Sequence, residues 1–182
     1  MQAANNVLTF LIHTLFTLYI GAIIIRTILA MTRADFYNPI SQFLVTITNP
    51  LLIPLRKIIP SIGKIDTASW VLIFGLKALE IFLLFYIKGI QANPQTLVIA
   101  TIFQVIIMIV SIFLYAVIIR AILSWFAMGN MGPNPLTSIL HSITEPLLGP
   151  ARKIIPPVGM FDLSAMIVIL VLYSILIALG SI

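Results

Sequence analysis

The sequence predicts an all-α integral membrane protein with four transmembrane helices, built as two tandem helix–amphipathic interfacial segment–helix repeats. Three observations carry that prediction. Hydrophobic residues make up 61% of the 182-residue chain and charged residues 8%, with a mean hydropathy of +1.18. So few charges cannot cover a soluble domain of this length, so lipid must be the solvent for much of the surface. Four stretches, Val7–Ala30, Ala68–Ile87, Leu97–Phe126 and Leu163–Ile182, reach the length of about 20 apolar residues that a ~30 Å hydrocarbon core requires. Finally, Asn38–Asp66 (NPISQFLVTITNPLLIPLRKIIPSIGKID) recurs without a gap as Asn134–Asp162 (NPLTSILHSITEPLLGPARKIIPPVGMFD), at an offset of 96 residues. A repeat of that spacing is one structural unit used twice, dividing the chain into residues 1–93 and 94–182.

The elements follow in order. The first span, residues 7–30, is too long for a signal-peptide core, and Met1–Asn6 carries no Lys or Arg, so it is expected to be retained. In the interfacial segments, 38–66 and 134–162, Asn38 and Asn134 read as N-caps followed by proline at the first helical position. Ile40, Phe43, Leu44 and Ile47, and likewise Leu136, Ile139, Leu140 and Ile143, recur at helical spacing with polar residues between them. Each amphipathic helix is expected to lie in the interface and to end before Pro50 or Pro146, because proline disfavours a helical predecessor. A second short turn then carries Arg56-Lys57 or Arg152-Lys153, Gly63 and Gly159 release the chain, and Asp66 and Asp162 cap the next spans, 68–87 and 163–182. Span 97–126 exceeds the bilayer and should tilt or project.

Charge sets the orientation. Arg33, Arg56, Lys57, Lys64, Arg152 and Lys153 lie on the side of the repeated segments, whereas the other side has only Lys88. This bias puts both segments in the cytoplasm and both termini outside. Trp70 and Trp125 fall near the cytoplasmic span ends, where aromatic rings favour the interface. The net charge of +5 therefore reads as orientation, and no nucleic acid is expected.

Three sets of residues stand out. Arg56, Lys57, Arg152 and Lys153 form a doubled basic face suited to anionic lipid or a protein partner, at about 1 kcal/mol per basic residue near an anionic leaflet. Arg26 and Arg120, one turn inside spans one and three, need partners, and the pairs Arg26–Asp66 and Arg120–Asp162 would close both repeats alike. Lys77 and Glu80, at i and i+3 within span two, form an intramembrane ion pair that either neutralises itself or marks an ion path. His13 and His141 show no HxxxH or carboxylate companion in sequence, so no metal or haem site is expected. The glycines of Met128-Gly129-Asn130-Met131-Gly132 lack the lysine of a phosphate loop. With no cysteine in the chain, thiolate chemistry is excluded. No catalytic constellation and no cofactor are expected.

Asn-Pro, Thr-(Asn/Glu)-Pro-Leu-Leu, Pro-x-Arg-Lys-Ile-Ile-Pro, Gly and Asp, set between apolar spans, resemble the YggT (YlmG-like) family. Copy two follows the pattern closely, with Arg120-Ala-Ile-Leu-Ser-Trp125 and Thr144-Glu145-Pro146. Copy one departs at Asn49 and at Arg26-Thr-Ile-Leu-Ala-Met31. The resemblance implies a small bacterial plasma-membrane protein with no settled enzymatic activity, associated with envelope organisation, division and osmotic tolerance. The expected function is a non-enzymatic scaffold whose doubled cytoplasmic face contacts anionic lipid, envelope or division proteins, or a second copy. The alternative is a small ion channel or transporter with Lys77 and Glu80 in its path.

Overall fold

Among the described residues six helices form, in the order long apolar, amphipathic, apolar, and then the same again. In the computed structural model, which describes residues 2–63, 65–91, 93–126, 134–154 and 162–180, these are α1 (Gln2–Met31), α2 (Pro39–Ile58), α3 (Thr67–Ile87), α4 (Pro94–Phe126), α5 (Pro135–Ile154) and α6 (Leu163–Ala178). Helices α1, α3 and α4 are long and apolar enough to cross a membrane. Helix α6 has 16 residues, about 24 Å at 1.5 Å per residue. It stops short of the expected span because Gly180, at φ 69°, turns the chain left-handed beyond Leu179. Large apolar side chains such as Phe10, Leu15 and Leu18 on α1 and Val98, Ile99 and Phe103 on α4 lie exposed, as lipid-facing residues must. These apolar helices mark a membrane protein.

Both amphipathic helices are longer than their sequence suggests. Helix α2 continues through Pro50 and Pro54, and α5 through Pro146 and Pro150, each to 20 residues, so the expected stop before the first proline does not occur. A proline inside a helix removes one hydrogen bond and leaves the carbonyl four residues earlier unbonded. Here the prolines are i, i+4 and exposed, so the freed carbonyls of Thr46 and Pro50 lie on an outward face where polar surroundings can satisfy them. The opposite face supplies the packing: Ser41, Leu44, Thr48 and Leu52 in α2, and Leu140, Thr144 and Leu148 in α5, are buried. Phe43 is 62% exposed.

Within each half the three helices pack on one another: α1 with α2 and α3, α2 with α3, and correspondingly α4 with α5 and α6, and α5 with α6. The main core joins the halves. Ile20, Ile23, Ile24 and Leu29 of α1 cluster with Ile73 of α3, Val105 of α4, and Ile139, Leu140 and Ile143 of α5. The join is one-sided: α5 packs on α1, whereas among the described residues α2 makes no matching contact with α4. Asn38 secures it, capping α2 through Oδ1 while its Nδ2 donates to the Pro135 carbonyl at 2.8 Å. Trp70 packs against Phe74 and helps line an apolar cavity of about 380 Å³ with Ile24, Ile28, Ile109 and Phe113, so much of its ring is spent on packing. The glycine cluster at 128–132, Lys64 and Gly159 fall outside the described residues, as does the side chain of the Trp125 anchor.

Candidate functional site

Each half builds the same socket for an arginine, buried in the first half and half-buried in the second. Arg26, 8% exposed on α1, donates from Nη1 to Oγ1 of Thr48 on α2. In the other half Arg120 donates from Nη1 to Oγ1 of Thr144, at 2.6 Å. Both threonine hydroxyls in turn donate to the carbonyl four residues back, Leu44 or Leu140, which fixes their lone pairs toward the guanidinium. The sockets then differ. Glu145 accepts from Arg120 at 3.1 Å and also lies 3.5 Å from Arg152, whereas Asn49 at the same place in copy one brings no charge.

The expected pairs Arg26–Asp66 and Arg120–Asp162 do not form. Asp66 is held by Arg56 and Asp162 by Arg152, ten residues earlier in each copy. Geometry decides this. The amphipathic helices end with their arginines beside the start of the following helix, and in copy one a tight turn at Gly63 (φ 61°), closed by reciprocal Ile62–Ile65 backbone bonds, folds Asp66 back onto Arg56. Arg26, committed to Thr48, feels Asp66 only through space. Arg152 grips Asp162 with two nitrogens, Nε at 3.0 Å and Nη2 at 2.7 Å. The two aspartates also cap α3 and α6, accepting from Ser69 and Ser164. Burial alone raises the Asp66 carboxyl, but hydrogen bonds from Arg56 and Ser69 outweigh it and hold the group below the ordinary carboxylate value. Asp162 behaves alike, burial being overcome by Ser164 and Arg152.

The basic face therefore divides. Arg56 and Arg152 are clasps within the chain. Lys57 and Lys153 are exposed, and among the described residues neither has a carboxylate partner. Each is followed by an isoleucine that is almost bare: Ile58 is 78% and Ile154 80% exposed.

Lys77 and Glu80 do pair, Nζ to Oε2 at 3.0 Å, with both residues buried. They have a third member that spacing along the chain did not show: His13, 67 positions away on α1, places Nδ1 2.7 Å from Glu80 Oε1. His141 likewise lies 3.4 Å from Glu145. Both histidines thus have the carboxylate companion that the sequence did not suggest. The second was visible as an i, i+4 pair; the first needed the α1–α3 register.

Long apolar helices, two amphipathic helices with arginine sockets, and a twofold Arg–Asp clasp define a helical membrane protein with an internal repeat. The chain belongs to the CCB3/YggT family, whose model matches residues 5–87 and again residues 99–182. It is 40% identical over 174 residues to an uncharacterised protein of Pseudomonas aeruginosa, covering 94% of this chain and 87% of that one. It is also 40% identical over 164 residues to an uncharacterised protein of Vibrio alginolyticus (89% and 87% covered). Against the uncharacterised protein YggT of Escherichia coli strain K12 it is 35% identical over 170 residues, covering 93% and 87%. No solved structure gives a significant match.

Proposed function

We propose that this protein organises the membrane without catalysis, holding anionic lipid headgroups at the tips of two amphipathic helices that lie at the cytoplasmic face. In this reading α1, α3, α4 and α6 all cross the bilayer, with local thinning accommodating the shorter α6. The observation that carries the reading is the repeated Lys-Ile tip. An ammonium with no carboxylate partner beside an isoleucine about four-fifths exposed suits the headgroup boundary, with the apolar side chain among acyl carbons and the charge among phosphates. Only the lysines count toward attraction, because Asp66 and Asp162 neutralise Arg56 and Arg152. At about 1 kcal/mol each, two lysines give ~2 kcal/mol, roughly a thirtyfold preference for anionic lipid.

The test is native mass spectrometry of the protein released from detergent, counting retained phosphatidylglycerol and cardiolipin. Lys57→Gln/Lys153→Gln should keep the fold and lose most of the retained anionic lipid. Retention equal to that of the wild type rejects the reading.

A further inference from the structure

On the far side of the protein from the Lys-Ile tips, the Lys77–Glu80 pair faces a second cavity. It measures about 210 Å³, room for about seven waters at ~30 Å³ each, and His13, Lys77, Glu80, Lys88 and Gln104 form its polar lining. It adjoins a vestibule of about 700 Å³ that shares His13, Leu84 and Lys88 and adds Asn5 and Asn6 from the start of α1. Of the cavity's polar lining only Lys77 and Glu80 are buried, at its back, with His13, Lys88 and Gln104 exposed at its mouth, and a buried ion pair among apolar helices is costly to maintain and signals use.

Its charges indicate the ligand. Among the described residues Glu80 is the only carboxylate lining either space, and each of its oxygens already has one partner, Lys77 on one and His13 on the other. What remains are donors. The Lys77 ammonium has three N–H groups and one hydrogen-bonded partner, and it is only 3% exposed. Among the described residues, the side chains of Lys88 and Gln104 have no hydrogen bond or ion pair. Two lysines against one glutamate leave the lining one positive charge in excess. A cation would meet the excess positive charge; an oxyanion would meet unspent donors.

His13 adds a proton dependence. An ionised carboxylate only accepts, so Nδ1 carries the hydrogen toward Glu80, and a further proton must go to Nε2. The other charged groups lining the space are Lys77, Glu80 and Lys88, all from α3, while α4 contributes the neutral Gln104. Protonation therefore raises the excess to two positive charges, and an anion in the cavity offsets it. By linkage the two bind each other's state more tightly.

We propose that this cavity is a binding site for a small oxyanion, a phosphate or short carboxylate group, and that its occupancy is coupled to protonation of His13. The proposal does not depend on the headgroup reading of Lys57 and Lys153. It is tested in nanodiscs of phosphatidylcholine by ¹⁵N imidazole NMR, titrating inorganic phosphate and then acetate at pH 5.5 and 8; the chain has only two histidines, and His13→Asn assigns the signal. Saturable shifts of the His13 signal are expected with both anions, with about tenfold tighter binding at pH 5.5 for acetate, which stays ionised throughout. Lys88→Gln, at an exposed helix end, should weaken binding severalfold without disturbing the fold. Equilibrium dialysis of His13→Asn with labelled acetate, which stays ionised at both pH values, should show binding without the pH dependence. If phosphate and acetate are silent but phosphatidylglycerol in the disc moves the His13 signal in a Lys88-dependent way, the oxyanion is a lipid headgroup. No response of His13 to any of the three, or equal binding by Lys88→Gln, overturns the site.

Discussion

Replacing the socket threonines by valine tests whether the arginines are held as described, because the two copies predict different costs for the same chemical change. Thr48→Val removes the only hydrogen-bond acceptor that Arg26 has among the described residues, while Arg26 stays 8% exposed. Leaving a buried donor unmet costs about 1–3 kcal/mol, with a charged group toward the upper end, so ~2 kcal/mol is expected. In Thr144→Val, Arg120 keeps Glu145 at 3.1 Å and its side chain is 18% exposed, so about 0.5–1 kcal/mol is expected. The difference, ~1 kcal/mol or more, is at least about fivefold in the unfolding equilibrium. Reversible unfolding in mixed micelles of rising dodecyl sulfate fraction, followed by circular dichroism, measures both. Adding Glu145→Gln to Thr144→Val should raise its cost toward that of Thr48→Val, and the cycle isolates the carboxylate. If Thr144→Val costs as much as Thr48→Val with Glu145 intact, the socket argument is wrong.

Two further outcomes follow from the same geometry. Asn49→Glu should give Arg26 the acceptor that Arg120 already has, stabilising the first half by about 1 kcal/mol in the same assay and making Thr48→Val cheaper. Because the Asp66 and Asp162 carboxyls are held below their unfolded value of about 3.9, their contribution is fully present above that pH and is lost as pH falls through the lowered folded values. The melting temperature should therefore hold from pH 7 to about 5 and fall below about 4, while Asp66→Asn/Asp162→Asn starts lower and flattens that acid limb.

The features legible in the sequence are the local ones. The 96-residue offset gave the order of helices, Asn38, Asp66 and Asp162 cap where their positions suggested, and Lys77 and Glu80 pair because i, i+3 residues share a helix face. The failures are of two kinds. Proline was read as a stop from its backbone chemistry alone, whereas the packing of Leu44, Thr48 and Leu52 outweighs two lost hydrogen bonds on a polar face. Partner choice was read from which charges needed neutralising, yet Arg26 is met by a hydroxyl and Asp66 by the nearer arginine. Contacts such as His13–Glu80 and Asn38–Pro135 depend on how helices distant in sequence are aligned, and one chain's residue pattern carries little information about that.

The one-sided join between the halves bears on how such a doubled chain holds together. With α5 seated on α1 and, among the described residues, nothing equivalent between α2 and α4, the halves meet unevenly, a contact that need not be strong to persist when both partners share one polypeptide. The turn between Ile87 and Pro94 is short enough to keep each half at a local concentration on the order of millimolar for the other. Stoichiometry is thereby set by covalent connection and not by the strength of the seam.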